Sequence, residues 1–139
     1  MLERHKFKYI EGEIYRFHDT LKEIKLIEYE ILHDYSTHTD DPQAGRTSVR
    51  TITDTTALKA TELVEHKRLK RMREKTDAIL KVYNSLIDEK KDLINLYYWD
   101  RPGELTWDGV AKELNIGRAT AIRWRNAFVH KVAEEMGEK

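Results

Sequence analysis

With 139 residues and no cysteine, the chain has room for one domain, or one small domain with a helical extension, and holds neither disulfides nor thiolate metal sites. Charged residues make up 36% and hydrophobic residues 40%, with only six glycines and two prolines, which favours long solvated helices over a thick sheet core. The formal net charge is zero, which removes the global basic signature of a non-specific DNA coater and leaves charge to act locally.

The first element expected is a single helix over about Leu2 to Asp34. Phe7, Ile10, Ile14, Phe17, Leu21, Ile24 and Ile31 alternate spacings of three and four until Glu28 takes one slot. This heptad seam suits one partner helix better than a broad core. That partner is either a second copy of the chain or a later helix of the same one. Ser36 to Arg50 then reads as a polar linker, with Pro42 and Gly45 as breakers and Asp54 placed to cap the next helix.

From Thr55 to Ile87 the helical period returns, with a seam of Leu69, Met72, Thr76, Ile79, Tyr83 and Leu86. Ala57, Ala60 and Val64 follow another phase, so a break or bend is expected near Glu65–Arg68. Lys67 to Lys75 carries six cations against one acid, Glu74. It reads as a solvated helix face, a second DNA contact or a surface for RNA polymerase. Asp88 is expected to cap a short helix, Glu89 to Trp99, with Leu93, Ile94, Leu96 and Tyr97 facing a core, and Pro102–Gly103 end it.

The last 35 residues carry the functional signal. Thr106 is placed to cap a helix with Val110, Ala111 and Leu114 on one side. Asn115–Ile116–Gly117 makes a tight turn, and a second helix runs from Arg118 to about Met136 with Ala121, Trp124, Phe128 and Val132 inward. Small residues where two helices must approach, and an aliphatic plug in a three-residue turn, are the pattern of a helix-turn-helix. From Gly117 to Lys131 there are four cations and no acid. The candidate DNA-binding residues are Arg118, Ala119, Thr120, Ile122, Arg123, Arg125, Asn126 and Lys131. Arginine bridges guanine O6 and N7, asparagine pairs with adenine, and Ile122 or Ala119 meets a thymine methyl. Arg125, Lys131 and the Thr120 hydroxyl suit phosphates. The plainer reading is a helical hairpin with a solvated cationic face.

The string from Asp88 to Gly137 resembles the C-terminal region of the RinA/ArpU-type phage transcriptional regulators. Leu96-Tyr97-Tyr98-Trp99, Leu105-Thr106-Trp107, Val110-Ala111, Arg123-Trp124-Arg125 and the Val132-to-Gly137 ending carry the likeness. Phe7 to Glu11 and Glu65 to Arg71 extend it more loosely over nearly the whole chain. The resemblance implies activation of late operons in phages of Gram-positive bacteria, through a DNA-reading part similar to sigma-factor region 4. Gly117 departs from the Ser or Thr found at this cap in many such motifs, which weakens one phosphate contact.

Three function classes fit these features. The first is an all-α transcriptional regulator on double-stranded DNA in the bacterial cytoplasm, a dimer or small oligomer with RNA polymerase as a further partner. The second is a small-terminase-like DNA-packaging recognition protein. The third is a coiled-coil adaptor with no DNA affinity. No cofactor, metal, membrane partner or catalytic activity is expected. His33, Asp34, His38, Asp40 and Asp41 have metal-ligand chemistry but straddle a helix end and a loop without a fixed frame. Ser36, Ser48 and Ser85 lack a nucleophile-elbow context. No apolar run approaches the roughly 20 residues of a membrane span, and the N-terminal stretch lacks a signal peptide's apolar core. Trp99, Trp107 and Trp124 are expected to anchor the bundle rather than to stack on bases.

Overall fold

The structure is a computed structural model that describes residues 2–40 and 48–138, with side chains described outside 34–62 and 65. It is all-helical, with no strand among the described residues. In chain order the elements are α1 (Arg4–Tyr15), α2 (Phe17–Asp40), α3 (Ser48–Asn84), α4 (Asp88–Ile94), a π-helical turn (Asn95–Asp100), α5 (Trp107–Leu114) and α6 (Arg118–Glu135). No helix among the described residues is long and apolar enough to cross a membrane.

Packing does not follow the chain-order partition into 1–35, 36–54, 55–87 and 88–139. One compact unit joins Met1–His18 to Glu74–Lys139, and the other is Asp19–Arg73. The expected single N-terminal helix breaks at Arg16, which leaves helical geometry at φ −86° and ψ 3°. The heptad seam is thereby cut in two: Ile10, Ile14 and Phe17 are buried in the first unit, and Ile24 in the second, where Ile31 packs alongside and Ile27, outside the seam, is also buried. A periodic stripe shows only that one side of a helix is apolar, and here two different surfaces cover it.

In the second unit, Ile24 and Ile27 of α2 bury against Leu69 of α3, with Ile31 and Met72 packed alongside. Glu23 pairs with Arg68 and Glu28 with Arg73. Part of the Lys67–Lys75 cationic block is therefore used within the chain, while Lys67, Lys70 and Arg71 stay exposed. No break occurs near Glu65–Arg68, because α3 runs unbroken from Ser48 to Asn84. Asp54 accordingly lies inside a helix rather than capping one. The polar stretch 36–54 is helical to Asp40 and again from Ser48, and Pro42 and Gly45 lie outside the described residues. Ser, Thr and His are weak helix formers but not breakers, so residues 36–40 impose no stop.

In the first unit, Ile87 rather than Asp88 is the N-cap of α4, and Asp88 and Glu89 sit in its first turn, where they complement the helix dipole. The π-helical turn then places three consecutive aromatic rings against three different neighbours. Tyr97 stacks on Trp107, with ring centroids 4.2 Å apart. Tyr98 is fully buried and donates to Glu11 Oε2 at 2.7 Å. Trp99 stacks on Phe17 and donates from Nε1 to the Ile14 carbonyl at 2.8 Å. The wider turn shifts the phase, so Leu93, Ile94 and Tyr98 are buried while Leu96 and Tyr97 are only half-buried.

Burial, followed by the adjacent Glu11 carboxylate, pushes the Tyr98 phenol well above its ordinary value of 10.0. A phenol whose folded-state value is raised contributes stability that is complete below about pH 10 and lost as pH climbs toward the folded value. Chemical denaturation should thus give a stability falling above pH 10, with a smaller fall in Tyr98→Phe. Equal alkaline losses in both proteins would show that Tyr98 is not the group responsible.

Candidate nucleic-acid interface

The α5–turn–α6 segment is built locally. The Thr106 hydroxyl accepts from the Gly109 amide at 3.1 Å, satisfying one open N–H at the start of α5. Asn115 ends α5 in the left-handed region (φ 56°), a conformation Asn tolerates better than most residues, and the Ile116 amide returns to the Ala111 carbonyl at 3.0 Å. Gly117 is the N-cap of α6 and brings no side chain to its amides. Leu93, Val110 and Ala121 form the buried cluster beneath, with Ile116, Leu114, Leu105 and Trp124 packed against it. Ile116 thus plugs the turn, and Ala111 and Ala121 are buried where the two helices meet.

At about 100° per residue, the buried side of α6 carries Ala121, Phe128, Val129, Val132 and Ala133. The opposite side presents Ala119, Arg123 and Ala127, all exposed. Arg118 is exposed and pairs with Asp108 at 3.4 Å, a surface contact worth little in water. Thr120 and Ile122 are half-buried at the edges of the exposed strip. Lys131 lies apart, in a mixed-charge groove with Ser85 and Glu134, where Lys81 and Glu135 pair at 3.1 Å. Of the eight candidate residues, Ala119 and Arg123 share one open face, and Arg118 is exposed at the first turn of α6, away from that strip.

Arg125 is placed otherwise than expected. Its guanidinium is only 15% exposed, pairs with Glu11 Oε2 at 2.9 Å, and lies 4.7 Å from the Trp107 ring centre and 5.2 Å from that of Phe7. Arg125 therefore joins α6 to α1 rather than facing solvent where a phosphate would approach. The physical reason is the buried Tyr98–Glu11 contact, which brings a carboxylate within reach of α6; a partly buried cation is retained when it is paired. Its Nε also donates to Asn126 Oδ1 at 2.7 Å. Because guanidinium only donates, the amide oxygen of Asn126 is fixed toward Arg125 and its Nδ2 is directed elsewhere. Asn126 is half-buried in a cleft of about 490 Å³ beside α1.

A family model covers residues 9–134. The chain belongs to that family, described as "Protein of unknown function (DUF722)". No curated protein and no solved structure matches the chain. For this DUF722 member the span includes both units, so the family unit is the combination of α6 with α1, α2 and α3 and not the C-terminal helices alone.

Sequence reasoning missed Glu11 and Tyr98 as the residues that secure α6. Glu11 stands one residue after the buried Ile10, at the edge of the apolar stripe, which was the available signal. Of His33, Asp34, His38, Asp40 and Asp41, where no metal site is expected, only the side chain of His33 lies within the described residues, and it stacks on Tyr29. No group of three metal-ligating side chains occurs among the described residues. Trp99, Trp107 and Trp124 are half-buried and packed within the first unit.

Proposed function

We propose that this protein is a sequence-specific transcriptional regulator that binds duplex DNA by laying the first half of α6 in the major groove. The observation that carries this reading is the open face of Ala119 and Arg123, in an α6 stretch without acidic residues up to Lys131, on a helix held from behind by a packed core. A guanidinium on such a face reaches guanine O6 and N7, and a small alanine lets the helix approach the base edges. The residues that resemble RinA/ArpU-type regulators favour a phage late-gene activator over the packaging alternative. It acts on DNA in the host cytoplasm.

Self-association belongs to the same proposal. Leu26, Tyr29 and Leu32, spaced three apart on one side of α2, are exposed apolar residues of the second unit, and contiguous exposed apolar surface commonly marks an interface. A homodimer would present two α6 helices to a repeated site. The exposed Lys67, Lys70 and Arg71 form a surface for host RNA polymerase.

Binding to tiled duplexes of the source genome at near-physiological salt tests the reading. A discrete site upstream of a late operon is expected, and enrichment at a packaging-initiation region would favour the terminase-like alternative. Absence of duplex binding would overturn both. On the site so found, Arg123→Ala should cost about 1–3 kcal/mol and relax base preference, with little change on random DNA. Equal losses on both would remove Arg123 as a base reader.

A further inference from the structure

Resting on that reading, we propose that the cleft between α1 and α6 is a second DNA-contact site that clamps the phosphodiester backbone beside the groove read by α6. Its lining brings together Arg4 and Lys8 from α1 and Asn126 and His130 from α6, around the Glu11–Arg125 pair. The one carboxylate in this lining is already shared between the Arg125 guanidinium and the Tyr98 hydroxyl. The uncompensated charge of the cleft is therefore that of Arg4 and Lys8, and neither makes an ion pair among the described residues. The two stand four residues apart on α1, on the same helix face one turn from each other.

The other polar groups agree in sign. Asn126 has its oxygen held by Arg125 and offers its Nδ2 as a donor. His130 is held edge-on to Phe7 at 5.9 Å between ring centroids, so the wall carrying it is fixed by aromatic packing. Cations and a donor around a neutralised pair select an anionic ligand. Position selects which anion: Asn126 and His130 lie three and seven residues beyond Arg123, so the cleft borders the continuation of the same exposed strip. A duplex lying along α6 carries its own phosphates past Arg4 and Lys8, whereas a small free anion gains nothing from that continuity.

The double variant Arg4→Ala/Lys8→Ala tests the clamp, compared with the full-length protein over a range of salt on specific and random duplexes. Both residues are exposed, so the thermal transition should stay in place. Losing two phosphate contacts should flatten the slope of log affinity against log salt by about 1.8. Between about 50 and 200 mM salt, the unaltered protein would then lose roughly twelvefold more affinity than the variant. An unchanged slope in a variant that still binds overturns the clamp and leaves the α6 reading standing; an unchanged slope with lost polymerase binding assigns the cleft to an acidic protein instead. If the unaltered protein binds no duplex, the DNA reading falls and takes the clamp with it. Because the chain has no cysteine, Lys8→Cys carrying a DNA-cleaving chelate gives an independent map. Cuts should flank the site protected by α6, and their absence on a bound duplex would also overturn the proposal.

Discussion

Arg125→Ala should destabilise the folded protein by about 3 kcal/mol, the cost of leaving a largely buried partner charge behind. The substitution strands the Glu11 carboxylate, of which 18% is exposed, with only the Tyr98 hydroxyl, and removes a cation from the rings of Trp107 and Phe7. Urea denaturation of the variant measures this directly. Lys131→Ala provides the contrast, because an exposed lysine changes stability by less than about 0.5 kcal/mol. The opposite pattern, full stability with a salt slope flattened by about 0.9, would return Arg125 to the role of phosphate ligand. Glu11→Gln keeps a hydrogen-bond acceptor for Tyr98 and should cost less than Arg125→Ala.

Phe128→Ala should have an effect at least as large, about 3–5 kcal/mol, because it removes a ring that is 1% exposed and leaves a cavity among well-packed neighbours. In a unit of this size, that corresponds to a fall in melting temperature of roughly 15 °C or more. The neighbouring Ala127 is exposed, and Ala127→Gln should leave the transition almost unmoved. Loss of DNA binding in Phe128→Ala that tracks unfolding, and recovers on cooling, would place Phe128 beneath the reading surface rather than on it. Similar melting temperatures for the two variants would mean that α6 does not pack through Phe128.

The difference between Arg123 and Arg125 shows what can be read from residues alone. Both belong to one cationic run, and both read as DNA contacts by composition. Nothing in the spacing of α6 tells which guanidinium meets a carboxylate from a helix more than a hundred residues earlier. That meeting depends on Tyr98, buried because a π-helical turn adds a residue to the repeat and rotates the aromatic triplet. A wide turn leaves no mark in a periodicity judged at about 3.6 residues per turn. The N-terminal helix behaves likewise: its stripe is legible, but the break at Arg16 and the division of that stripe between two units are not.

The sequence by itself determined the helical class of the described residues and the short-range devices of the C-terminal segment. The Thr106 cap, the left-handed Asn115, the Ile116 plug and the small Ala111 and Ala121 each depend on neighbours within a few turns, and local chemistry dictates them. Tertiary structure alone decided which surfaces cover the α1 and α2 stripes, that Arg125 faces inward to Glu11, and that Arg4 and Lys8 border the same cleft as Asn126. Those outcomes depend on contacts far apart along the chain, 45 positions between Glu23 and Arg68 for α2 and 85 or more for α1. Amphipathic periodicity says that a face must be buried, but the identity of its cover is fixed only when the whole chain packs.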